Sequence, residues 1–176
     1  ASKTERTFTT NAVAFAEKNG FKELSKVKKL KAGDKVYSTN RGKNFLAFVI
    51  GKKPIKEGMN LLGAHIDSPR MDLKQHPLYE QDGLVLLDTH YYGGIKKYQW
   101  VAHPMALVGV VVKKDGTVVD ISIGEKDDDP VVGVSDLLVH LAGEQMKKPG
   151  STVVEGEKLN LLAGSIPAAK EEKEPV

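Results

Sequence analysis

Five histidines are the only imidazoles in this 176-residue sequence: His65, His76, His90, His103 and His140. The first stands in "LLGAHIDSPR", residues 61–70, where its neighbours suggest chemistry. Leu61 and Leu62 have the apolar character of a buried strand, and Gly63 and Ala64 are small enough to let something approach the backbone. His65 and Asp67 are two apart, so on an extended chain they face the same way. Pro69 ends any ladder, because it has no N–H to donate. The pattern predicts a buried strand from Met59 to His65 that presents a polar pair at its carboxyl end, where open α/β sheets keep their sites. A neutral imidazole is a good ligand for zinc, and a nearby carboxylate fixes its tautomer and raises its basicity. The spacing is met equally by a His hydrogen-bonded to its neighbour at a strand end. His76, His90 and His103 read as solvated or packed imidazoles. His140, among Leu138, Val139 and Leu141, reads as a core or interface residue.

Other chemistries are excluded by what is missing. No helix carries two His at the spacing of a His-Glu-x-x-His site, no Gly-x-Ser-x-Gly elbow occurs, and phosphate-cradling glycine loops are absent. There is no Cys, so disulfides and thiolate metal sites are ruled out, which fits a reducing cytoplasm. The formal net charge of +3 spreads 26 basic residues among 23 acidic ones. A nucleic-acid partner would need a concentrated basic face, so none is expected. The sequence has no apolar run long enough to span a bilayer and no signal-peptide core, so no membrane partner is expected either.

These residues need elements to hold them. Residues 4–18 read as an amphipathic helix with Phe8, Val13, Phe15 and Ala16 as core positions and Asn19-Gly20 as its stop. The lysine-rich stretch 22–35 reads as a solvated helix or loop. "KVYSTN" and "NFLAFVIG" read as strands around an Asn40-Arg41-Gly42 turn, followed by a loop over 52–58. Short strands over 71–94 are punctuated by Pro77, Asp82-Gly83 and Gly93-Gly94. Residues 105–124 have the pattern of a hairpin turning at Lys114-Asp115-Gly116. Residues 127–148 start as a loop and then read as a short helix capped by Ser135 or Asp136, with Leu137, Leu138 and Leu141 on one side. Residues 165–176 read as a polar tail. The first half is α/β and the second mostly β, with a boundary expected between Tyr91 and Ile95.

In order along the chain, "KTERTF…AFAEKNGF", "GAHIDSPR", "HYYGG", a Trp, "MALVGVVV" and "SDLLVHLAGEQ" resemble the aspartyl aminopeptidase family of cocatalytic zinc metallopeptidases. The resemblance runs from about Ser2 to Ser165. It implies the first part of a zinc-aminopeptidase-type α/β catalytic domain over residues 1–92, followed by part of an inserted β-rich assembly domain over 93–176. By position, His65 is similar to the family's first zinc ligand, and Asp67 to the catalytic-site carboxylate that supports this His from behind. His140 is similar to a His that reaches a neighbouring subunit's active site to bind substrate. The resemblance further implies two Zn2+ ions per complete site, a peptide substrate with an acidic N-terminal residue, and a homo-oligomer. His103 stands where the family commonly has an Arg. The family's remaining ligands and its general-base Glu come from later sequence. The expectation is therefore an N-terminal piece, inactive by itself, whose partner is the remainder of the same enzyme. The alternative is a non-catalytic assembly or interaction module derived from that family.

Overall fold

A computed structural model of the chain describes residues 2–166. The fold is mixed α and β and divides into two compact units, residues 1–68 and 69–176. The expected boundary after Tyr92 falls at the end of a strand inside the second unit.

The first unit opens with α1 (Glu5–Lys18). Thr4 caps it: its side chain accepts the Thr7 N–H at 3.2 Å, and the Thr7 hydroxyl accepts the Thr4 N–H at 2.9 Å. This reciprocal pair satisfies donors that a helix start leaves open. Asn19 and Gly20 (φ 82°) end the helix as expected. Three strands follow: β1 (Lys22–Glu23) lies parallel to β2 (Lys35–Thr39), which pairs antiparallel with β3 (Phe45–Val49). The hairpin between β2 and β3 turns where Arg41 and Gly42 both take positive φ, the geometry that keeps the strands' right-handed twist. The lysine-rich stretch is β1, a short 3-10 turn over Leu24–Lys26 and an irregular connection, not a long helix. Ala16, Val36 and Tyr37 are buried together with Thr9. Phe15 is 71% exposed, against the expected core position, because its neighbour Ala16 takes the inward side of α1. Tyr37 donates its hydroxyl proton to the Glu17 carboxylate at 2.7 Å. That bond, reinforced by burial, pushes the phenol up to about 12.

The second unit is built on a long hairpin of β4 (Arg70–Gln81) and β5 (Leu84–Tyr92), turning at Asp82-Gly83, both with positive φ. Its register shifts between Leu73 and Leu78, around Pro77, which cannot donate to the ladder. A second hairpin joins β6 (Leu107–Val112) to β7 (Val118–Ile123). Finally, β8 (Leu161–Gly164) pairs antiparallel with β5. The core is Val132, Val134, Val154, Leu159 and Leu161, with Met71, Leu87 and Tyr91 packed against it. Thr89 lies fully buried there, and its hydroxyl donates to the carbonyl of Leu159. Asn160 accepts the Thr89 N–H at 3.3 Å and donates to the Tyr79 hydroxyl at 2.8 Å, tying β4, β5 and β8 together. Most of the expected tail, residues 167–176, lies outside the described residues.

Candidate metal-binding site

The expected strand from Met59 to His65 is absent. Residues 58–69 have no regular structure, and Leu61 and Leu62 are 81% and 97% exposed. The physical reason is the lack of a partner. A central strand is held by ladder bonds on its edges and by apolar cover on its faces, and among the described residues no strand pairs with this run. The sequence of a buried strand is present without the neighbours that would bury it.

The His65–Asp67 pairing is nevertheless formed locally. His65 Nδ1 lies 3.2 Å from Asp67 Oδ1 and 3.0 Å from the Asp67 main-chain carbonyl. A carbonyl can only accept, and an ionised carboxylate can only accept, so Nδ1 carries the proton. In the neutral ring the lone pair then sits on Nε2, the tautomer that a metal-binding His needs when a carboxylate orients it from the other side. The side chain of His65 is 84% exposed, so this nitrogen is open to a ligand. One open imidazole is not a metal cage. Zinc takes three or four protein ligands, and among the described residues no group of three or more His, Asp and Glu gathers in a way that could hold a metal ion.

His140 sits in a single turn rather than on the expected helix. The Leu141 N–H donates to the Leu138 carbonyl at 2.8 Å, and the Ala142 N–H to the same carbonyl at 3.0 Å. Leu137, Leu138, Val139 and Leu141 are all exposed and Ala142 alone of the turn is buried, too little apolar cover to sustain further turns. Asp136 does not cap a helix: its carboxylate accepts from the N–H of Leu137 and from the Gln145 amide. Of the two settings expected for His140, core burial is excluded by exposure. His76, His90 and His103 are exposed as well, with His90 stacked on Tyr91 at 5.5 Å.

Sequence reasoning missed one polar cluster. Arg70 holds its guanidinium 4.1 Å above the Tyr92 ring, with its Nε 2.8 Å from Asp72. Arg70 and Tyr92 face each other across the β4–β5 ladder. The Asp82-Gly83 turn signals the hairpin, but the bulge around Pro77 shifts the register, so the pairing was not readable from the turn.

A family model described as "Aminopeptidase I zinc metalloprotease (M18)" matches residues 1–175. The chain is 59% identical over 179 residues to a probable M18 family aminopeptidase 1 of Clostridium acetobutylicum, covering 99% of this chain and 38% of that protein. It is 45% identical to the protein of the same description from Thermotoga maritima, again over 99% of this chain and 38% of that one. Among solved structures, an M18 aminopeptidase from Thermotoga maritima superposes with a TM-score of 0.91 at 44% identity, over 99% of this chain and 38% of that chain. Aminopeptidase I from Clostridium acetobutylicum gives a TM-score of 0.82 at 57% identity, over 98% of this chain and 39% of that chain. The chain thus spans little more than a third of the length of these relatives.

Proposed function

The chain belongs to the aminopeptidase I (M18) family of zinc metalloproteases, and from that membership we propose that it supplies the first part of a metalloaminopeptidase. The whole enzyme releases N-terminal residues, acidic ones by preference, from peptides at a site holding two zinc ions. Residues 1–92 belong to its catalytic domain and 93–176 to an inserted β-rich assembly domain. The remaining zinc ligands and the general-base Glu come from the part of a family-length protein that this chain does not span. The observation that carries the reading is the family match over nearly the whole chain. A cytoplasmic setting accords with the absence of Cys.

Each candidate residue has a defined task. His65 fits zinc as one ligand through Nε2, with Asp67 holding the Nδ1 proton in place. Zinc held there would supply Lewis-acid activation of a carbonyl oxygen and of a water nucleophile. In a homo-oligomer, His140 reaches a neighbouring subunit's site and donates a hydrogen bond to a substrate oxygen. Its exposure on an apolar turn supports that interface role. The exposed Leu137–Leu141 run also favours the alternative, a non-catalytic assembly module.

The test uses the family-length protein and short peptides. Chelator-sensitive release of the first residue from a peptide with a free N-terminus, and none from its N-acetylated form, is expected. No release from any free peptide by zinc-loaded protein refutes the enzyme reading and leaves the assembly module.

A further inference from the structure

The hairpin of β4 and β5 has two unlike faces. Met71 and Tyr91, opposite each other in the ladder, pack against the core, and Thr89 beside them is buried. The residues in between share the other face, since alternate positions on a strand point the same way. There Arg70 stands opposite Tyr92 and Asp72 opposite His90. One step further Lys74 Nζ reaches Asp88 at 3.2 Å and Glu157 at 3.3 Å. The first pair in this polar row differs from the others. Arg70 lays its guanidinium 4.1 Å over the Tyr92 ring and turns Nε to Asp72 Oδ1 at 2.8 Å, so that its side chain is only 25% exposed. A planar guanidinium can stack and donate at once, which a lysine ammonium does less well.

This clasp stands where the irregular residues 58–69 end and β4 begins. Only Ser68 and Pro69 separate Arg70 from Asp67. Both are stiff: the proline ring locks φ at about −65°, and the residue before a proline is held to extended backbone. Pro69 also lies against Gly93, where a Cβ would stand 3.7 Å from its Cα and Cγ. A stiff link therefore passes the position of Arg70 on to Asp67. Asp67 in turn supplies both acceptors, the main-chain carbonyl and the carboxylate, that hold the His65 Nδ1 proton. We infer that Arg70 is a positioning residue for the metal site. Clasped between Tyr92 and Asp72, it fixes the placement of Asp67 through Ser68-Pro69, and so the aim of His65 Nε2. The inference rests on the reading of His65 as a zinc ligand and requires no contact between Arg70 and metal or substrate.

Zinc competition between the family-length protein and a chromophoric chelator tests it, with thermal melts confirming that each variant folds. An exposed cation–π contact shifts an equilibrium roughly two- to fivefold, and the clasp can pass on to the metal no more than it is worth. Arg70→Met and Tyr92→Leu are each expected to weaken zinc binding by roughly that factor. The double variant should lose no more than Arg70→Met alone, because both changes remove one contact. Tyr92→Phe keeps the ring face and should keep wild-type affinity. Lys74→Met breaks the charged pair further along the same face and should keep it too, whereas a purely structural role of that face would weaken both alike. Wild-type affinity in Arg70→Met and Tyr92→Leu, with zinc lost in His65→Ala, overturns the clasp and leaves the zinc reading standing. A loss in Lys74→Met equal to that in Arg70→Met, a loss in Tyr92→Phe equal to that in Tyr92→Leu, or losses that multiply in the double variant overturn it as well. Zinc fully retained in His65→Ala overturns the reading on which the clasp rests.

Discussion

Replacing Asp67 by Asn removes a charge from behind His65 while keeping the size of the side chain and its Oδ1 acceptor. Loss of such a supporting carboxylate typically weakens metal binding by about 10–100-fold. The geometry places this case toward the tenfold end. His65 Nδ1 has two acceptors, and the nearer, at 3.0 Å, is the main-chain carbonyl of residue 67, which the substitution leaves in place. The tautomer with its lone pair on Nε2 therefore survives, and what disappears is the electrostatic support of the ring. About tenfold corresponds to about 1.4 kcal/mol. Zinc competition between the family-length protein and a chromophoric chelator measures it directly. His65→Ala, which removes a ligand, should cost much more. Unchanged affinity in Asp67→Asn, or a loss as large as that of His65→Ala, would refute the division of labour between carboxylate and carbonyl.

Further outcomes follow from other residues. Thr89→Val keeps shape but leaves the buried Leu159 carbonyl without its donor, at a cost of about 1–3 kcal/mol; a urea midpoint followed by Trp100, the single tryptophan and a member of the same unit, should fall, and an unchanged midpoint contradicts it. The Tyr37 phenol is held protonated up to about 12 by Glu17, so its contribution to stability is complete below the unfolded value of about 10 and is lost as pH rises to about 12. Glu17→Gln should bring the ultraviolet titration of Tyr37 down toward 10. Three main-chain N–H groups hold the Asp129 carboxyl below its usual range, the Lys126 N–H contributing most, so its stabilisation is present above the ordinary carboxylate value and fades as acid protonates it. Asp129→Asn should flatten that acid limb in a pH series of thermal melts. In the family-length enzyme, His140→Phe should lower kcat by about 10²–10³ with zinc content unchanged, as for loss of an oxyanion donor.

Local signals in the sequence were sufficient where structure is local. Asn19-Gly20, Asn40-Arg41-Gly42 and Lys114-Asp115-Gly116 mark a stop and two hairpin turns, and each forms there because its chemistry lies within a few residues, whereas Pro77 does not break the chain into the expected short strands but lies inside the 12-residue β4. The same reasoning failed where a pattern needs a distant partner. Leu61 and Leu62 read as buried because their types demand burial, yet no described strand covers them. Leu137, Leu138 and Leu141 have helical spacing, but a helix that short depends on a packed face, and Ala142 alone does not supply one. The His65–Asp67 pair was legible because two residues on an extended backbone meet whether or not a sheet surrounds them. The Arg70–Tyr92 contact was not, because a bulge sets its register.

The central claim, that His65 ligates zinc in a family-length aminopeptidase, is tested most directly by metal analysis of the purified protein beside its His65→Ala variant, with folding checked on both. The account predicts two zinc ions per chain in the wild type and loss of at least one in the variant, together with loss of N-terminal residue release. Full zinc occupancy in a folded His65→Ala protein would contradict it.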